Sequence, residues 1–264
     1  MRVYQKRQSN LYVPGSKNTF RISRSKIDLF IECPRCFYLD RRLGLSRPSM
    51  PAFTLNSAVD SLLKNEFDLL RKKGEAHMLM KKYSVQAIPF NHPDLPVWRD
   101  DMFAFTGARV LDQGTNLEIC GIIDDLWVNK QGQLLVVDYK STSTNKEISL
   151  DDEYKQGYKR QAEIYQWIFR RLGFKVSNMA YFVFANAGRN KSKFDGLLEF
   201  ELSLVSHAGD DTWVKGAINK IKDCLEGESI PSRGNTCEYC LYREYIKKEE
   251  VSNESKKSHQ QKLI

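Results

Sequence analysis

The chain has 264 residues, 41% hydrophobic and 28% charged, with 8 Pro and 15 Gly, which excludes collagen-like, low-complexity and wholly disordered chains and leaves room for one or two domains. Lysine and arginine number 41 against 33 acidic residues, a net charge of +8, and a basic balance favours an anionic partner, of which nucleic acid is the commonest. No apolar run approaches the ~20 residues of a membrane helix, and the polar start lacks the apolar stretch of a secretory signal, so a cytoplasmic, reducing location and no membrane contact are expected.

In chain order, residues 1–20 read as a flexible basic arm, broken at Pro14 and Gly15. Ser23 or Ser25 caps a helix through Ile27, Leu29, Phe30 and Ile31 toward Cys33. Leu55, Val59, Leu62, Leu63, Phe67 and Leu70 recur at helical spacing and predict a long helix over 54–73. Three prolines mark 87–100 as an irregular crossover. The period then becomes two, predicting consecutive strands over 103–111, 117–128 and 133–139, divided by turns at 112–114 and 129–132. A helix follows over 153–172 with Gly173 as its stop. The apolar run 179–185 predicts a strand buried on both faces, followed by a strand over 197–205 and a helix over 211–225. Residues 243–264 read as a charged flexible tail. The order helix, three strands, helix, strand gives one mixed α/β domain over 21–242.

The chemistry concentrates in Gly121-Ile122-Ile123-Asp124 and in Asp138-Tyr139-Lys140. Residues two apart on a strand share a face, so Asp138 and Lys140 point the same way. A three-residue turn at 130–132, with Gly132 left-handed, pairs Asn129 with Gln133 and sets Asp124 opposite Asp138. Two facing carboxylates repel, and a hard cation such as Mg²⁺ relieves the repulsion while keeping room for water and a phosphate. A lysine beside them can orient or deprotonate the attacking water. An acidic residue two before a lysine also occurs at Glu153 and Glu254, but only Asp138 ends an apolar strand and faces a carboxylate. Metal-assisted phosphodiester hydrolysis is the reaction this set fits.

These motifs resemble the PD-(D/E)XK nuclease superfamily, in its RecB-like branch. Gly121 to Asp124 resembles the family's G-x-x-D strand, Asp138-Tyr139-Lys140 its (D/E)-x-K strand, and Gln161 to Tyr165 the branch's Q-x-x-x-Y helix. Gln161 and Tyr165 are four apart and share a helix face, where they could hold a phosphate or the lysine. The resemblance spans about residues 23–242. It implies a restriction-endonuclease-like core in a mixed central sheet, made of a helix, a three-stranded antiparallel meander, a helix and a strand. It also implies a Mg²⁺- or Mn²⁺-dependent deoxyribonuclease acting in DNA repair, recombination or defence, with catalytic Asp124, Asp138 and Lys140. The Tyr139 carbonyl becomes a third metal ligand, Gln161 and Tyr165 position the substrate, and a helicase or other repair or defence protein is the expected partner. One departure stands out: where the branch carries a metal-binding histidine, this chain has Asp60, still a good oxygen ligand for Mg²⁺ or Mn²⁺. The alternative reading is a catalytically weak nuclease-fold nucleic-acid-binding subunit stabilised by a four-cysteine metal site.

Cys33-Pro-Arg-Cys36 and Cys237-Glu-Tyr-Cys240 are two C-x-x-C pairs near opposite ends of the chain. Four thiolates make either a closed zinc site or an iron–sulfur cluster, and either would staple a helical subregion built from both ends. Iron–sulfur members of the RecB-like branch, similar to the CRISPR-adaptation and AddB-type nucleases, imply a 4Fe–4S cluster, with Zn²⁺ the alternative. Those relatives divide the ligands one and three, whereas this chain divides them two and two. Cys120 and Cys224 read as core residues.

Overall fold

The computed structural model describes residues 5–49, 51, 53–100 and 107–261. Its elements run β1 Phe20–Ser23, α1 Arg24–Glu32, α2 Pro34–Arg41, α3 Thr54–Lys73, α4 Met78–Lys82, β2 Ala87–Pro89 and α5 Leu95–Asp100. They continue as β3 Ala108–Asp112, β4 Leu117–Gly121, β5 Asp125–Asn129, β6 Leu134–Thr142, α6 Gln156–Arg171 after a 3-10 turn at Glu153–Lys155, β7 Met179–Ala187, β8 Phe200–Ala208, α7 Thr212–Glu226 and α8 Glu238–Gln261. The chain divides into two compact units, one of Thr19–Ser25 and Met50–Ile218, the other of Met1–Asn18, Lys26–Ser49 and Asn219–Ile264. The expected domain 21–242 contributes to both.

The first unit is a mixed α/β fold. A five-stranded sheet has the order β2-β5-β6-β7-β8, with β6 and β7 parallel and the other pairs antiparallel. A three-stranded sheet has the order β1-β4-β3. Helix α3 lays Val59, Leu63 and Phe67 on one face of the larger sheet, against Trp127, Leu135, Val137, Tyr139, Val183 and Ala185. Those sheet residues are the odd-numbered set of β5, β6 and β7, as a period of two demands. Gly74 ends α3 at φ 68°, a left-handed cap.

Three sequence expectations change here. The expected strand over 117–128 is broken at 122–124, and its halves β4 and β5 join different sheets. The expected crossover at 87–100 holds a short edge strand, β2, and the helix α5. Its prolines are tolerated because Pro89 ends an edge strand and Pro96 lies in a first helical turn. The expected strand 103–111 is found as β3 from Ala108; residues 103–106 lie outside the described residues.

In the second unit the expected flexible arm is held. Tyr12 is buried, its N–H donates to the Arg41 carbonyl at 2.8 Å, and its hydroxyl bonds Glu226. Gly15 N–H donates to Glu226 Oε2 at 2.9 Å, and Arg7 N–H to the Gly44 carbonyl at 2.9 Å. The expected tail after 242 continues as α8 to Gln261, in a stretch of good helix formers free of Gly and Pro. Arg35 and Arg233 hold that helix by Glu244, at 2.9 and 3.0 Å. Cys120 is buried as expected, whereas Cys224 is only half-buried. No helix among the described residues is long and apolar enough to cross a membrane.

Candidate active site

The break at 122–124 turns Asp124 toward β6. Gly121 is required there, because a Cβ would lie 2.5 Å from the Tyr165 ring. The Tyr165 hydroxyl donates to the Ile122 carbonyl at 2.5 Å, and the Ile123 N–H to the Trp98 carbonyl at 3.0 Å. The backbone groups that a continuous strand would place in a ladder are thus taken by α6 and α5. Gly132 adopts φ 72° in the hairpin turn, and Asp125 pairs with Val137, so the register brings Asp124 beside Asp138. Asp124 Oδ2 accepts the Tyr139 N–H at 2.8 Å.

Helix α6 meets this hairpin through one face. Gln161 Nε2 donates to Asp138 Oδ1 at 2.6 Å, and the Tyr158 ring lies 4.6 Å from Lys140 Nζ. Lys140 forms an ion pair with Asp138 Oδ2. On the far side, α3 contributes Asp60, paired with Lys64 at 3.0 Å. Asp60, Asp124, Asp138, Tyr139, Lys140 and Gln161 all line one cavity of about 650 Å³. Tyr165 does not line it; it acts from behind, on the Ile122 carbonyl.

The sequence profile of the PD-(D/E)XK nuclease superfamily matches residues 57–245. The chain belongs to this superfamily. No curated protein matches it by sequence. Among solved structures, the crystal structure of SSO0001 is similar at 14% identity over 88% of this chain and 86% of that one, with a TM-score of 0.38.

The electrostatics of the cavity suit a PD-(D/E)XK site. Burial, and then the neighbouring Asp138 charge, push the Asp124 carboxyl up to about 7, against the opposing pull of Lys140 and the Tyr139 N–H. Burial and the Asp124 charge raise Asp60 as well, with Lys64 opposing. Burial acts to lower the Lys140 pKa, but Asp138 and Asp124 outweigh it and hold the ammonium above the usual lysine range. Asp138 Oδ2 is buried against the Lys140 ammonium. A cavity lined by three carboxylates, two of them raised by burial and by a neighbour's charge, fits a small divalent cation.

Residues that the sequence reading did not single out also line the cavity: Arg24, Lys64 and Arg99. They are cations on three separate elements, so no local motif connects them. Tyr158 of α6 also lines the cavity, while Lys155 is buried on the Ser149 carbonyl at 2.8 Å.

In the other unit the two C-x-x-C pairs meet. All four thiols are buried, with donor atoms within 4.8 Å of one another. Among the described residues this is the one group of three or more such ligands drawn so close; Asp60, Asp124 and Asp138 share a cavity without converging that far. Cys36 Sγ lies 3.6 Å from both Cys237 and Cys240, and Cys33 lies 3.8 Å from Cys240. Cys33 caps α2, where its sulfur receives the N–H groups of Cys36 at 3.4 Å and Gly234 at 3.3 Å. Burial opposes ionisation of that thiol, yet these donors bring it down to about 7. The Arg47 guanidinium adds a contact to Cys237 Sγ at 3.2 Å. Burial pushes the Cys36 thiol up to about 11 and raises Cys240 as well, so the four sulfurs do not all ionise unaided, and a group of four such sulfurs could bind a soft or borderline cation that draws off their protons.

Proposed function

We propose that this chain is a metal-dependent nuclease that hydrolyses DNA phosphodiester bonds. The observation that carries this reading is the meeting of Asp124, Asp138, Lys140 and Gln161 in one cavity of a PD-(D/E)XK chain. Asp124, Asp138 and the Tyr139 carbonyl would hold Mg²⁺ or Mn²⁺, with Asp60 completing the set from α3. Such an ion supplies polarisation of the phosphoryl oxygen and acidification of bound water. Gln161 fixes the Asp138 carboxylate through Oδ1. Lys140, held between Asp138 and the Tyr158 ring, orients the attacking water and offsets the charge that grows on the phosphate. Tyr165 holds the 122–124 break in shape.

The assignment to the RecB-like branch, to DNA over RNA, and to repair, recombination or defence with a helicase-type partner rests on the motif resemblance. The four cysteines take a 4Fe–4S cluster by that resemblance. Zn²⁺ is the alternative filling of the same four sulfurs. The nuclease reading is tested with end-labelled single- and double-stranded DNA, and matching RNA, in Mg²⁺ or Mn²⁺. Cleavage of DNA that EDTA and Asp138→Ala both abolish supports it; equal cleavage by Asp138→Ala overturns it.

A second reading, a nucleic-acid-binding subunit with weak catalysis, is favoured by the Asp60–Lys64 pair at 3.0 Å. A lysine already neutralises the carboxylate that would complete the metal shell. Salt-sensitive DNA binding without cleavage in either cation would select this reading.

A further inference from the structure

Asp124 faces the cavity, while Asp125 faces the opposite side of the sheet, toward α3. The Asp125 carboxylate is fully buried. Its Oδ2 accepts the Tyr139 hydroxyl at 2.8 Å, and its Oδ1 accepts the Leu126 N–H at 2.8 Å and the Arg71 guanidinium. Arg71 also meets Asp68 at 3.4 Å, and Asp68 receives Arg99 from α5 at 2.6 Å. Burial raises the Tyr139 phenol well above its ordinary value, with Asp125 acting the same way, so the hydroxyl keeps the proton it donates.

Tyr139 is therefore gripped twice. Its N–H is held by Asp124 on one side of the strand pair, and its hydroxyl by Asp125 on the other. It sits between Asp138 and Lys140, whose side chains point to the opposite face. A twist of β6 that would carry Asp138 away from Asp124 must break the Tyr139–Asp125 bond.

We infer that Asp125, Arg71 and the Tyr139 hydroxyl form a positioning clamp behind the active site that sets the separation of Asp124 and Asp138. The inference rests on the nuclease reading for its consequence in catalysis. A buried ion pair is a poor source of stability compared with apolar packing of the same volume. What it supplies is direction, because three donors on two oxygens leave the carboxylate one orientation.

Tyr139→Phe tests the clamp, since it removes one oxygen and keeps the ring against Phe67, whose centroid is 5.6 Å away. Mn²⁺ affinity is read by electron paramagnetic resonance and cleavage by single-turnover rates on end-labelled DNA, both well below the melting temperature. Mn²⁺ affinity should weaken about tenfold and the rate fall by a similar factor, with DNA affinity unchanged, as for other residues that orient metal ligands. Asp125→Asn should act likewise, and the double variant should fall no further than the worse single variant. Wild-type Mn²⁺ affinity and rate in Tyr139→Phe, with only a lowered melting temperature, would overturn the clamp. Weakened Mn²⁺ binding in Tyr139→Phe, beside a wild-type protein that cuts neither DNA nor RNA, would support the clamp and remove the nuclease reading.

Discussion

Gln161 Nε2 and Asp138 Oδ1 are joined by a buried hydrogen bond of 2.6 Å, so α6 reads the orientation of the carboxylate at the centre of the cavity. Lys140 takes the other oxygen. One carboxylate is thus held between an amide that cannot titrate and an ammonium that can exchange it for another partner.

Gln161→Leu should leave Asp138 held by Lys140 alone, with its Oδ1 unpaired. DNA cleavage should fall about tenfold or more, while loss of the buried hydrogen bond lowers stability by about 1–3 kcal/mol. Single-turnover rates and urea unfolding measured on the same preparation check both figures. An unchanged rate would restrict Gln161 to packing.

Asp138→Ala and Lys140→Ala should both abolish cleavage but differ in binding. Asp138→Ala should lose divalent-cation affinity and let the Asp124 carboxyl fall from about 7, because the second cause of its elevation is removed. Lys140→Ala should keep DNA binding and cation binding. Calorimetric Mn²⁺ titration, DNA binding assays and carboxyl NMR of Asp124 separate the two variants.

Asp60 is the sharper case, since Lys64 already pairs with it at 3.0 Å. If Asp60 joins the metal shell, Asp60→Ala should raise the Mn²⁺ concentration needed for cleavage, and Asp60→His should recover part of the activity in Mn²⁺. Lys64→Met should then tighten Mn²⁺ binding by releasing the carboxylate. Wild-type behaviour of Asp60→Ala would remove Asp60 from the shell.

The four-cysteine site should retain metal through anaerobic purification. Zinc with a colourless protein, or iron and sulfide with a brown one, distinguishes the two fillings, and metal-free protein of full stability would exclude both. Cys237→Ser should lose that metal and destabilise the unit it ties, because metal binding there is folding free energy.

Acid should release the N-terminal arm. The Lys222 ammonium, the Tyr12 hydroxyl and the Gly15 N–H hold the Glu226 carboxyl down to about 2, from 4.5. A carboxyl depressed on folding contributes its stability above the unfolded value and loses it as pH falls toward the folded one. Limited proteolysis near residues 5–18 should therefore accelerate between about pH 4.5 and pH 2, and Glu226→Gln should be sensitive already at neutral pH.

The local chemistry of the hairpin was readable without coordinates. The two-residue alternation of β6, the glycine at the turn and the count back from Gln133 place Asp124 beside Asp138, and the structure has that register. The long helix was equally plain, because its apolar row needs only the 3.6-residue period. These features depend on residues within about fifteen positions of one another, where backbone geometry leaves few choices.

What the sequence by itself determined, then, was the type of each main element, the hairpin register and the residue types able to hold cations. Tertiary structure decided the break at 122–124, where Tyr165 and Trp98 take the backbone groups of Ile122 and Ile123. It decided that Asp125, one residue from Asp124, faces away and meets Arg71 from α3. A signal for that pair existed, an acid in the buried phase of a strand and an arginine in the buried phase of a helix, but each alone reads as an error in periodicity. It also decided that the arm packs on Glu226 and that the four thiols converge. Such contacts join residues up to some two hundred positions apart, and no local period encodes which distant groups will satisfy one another once water is excluded.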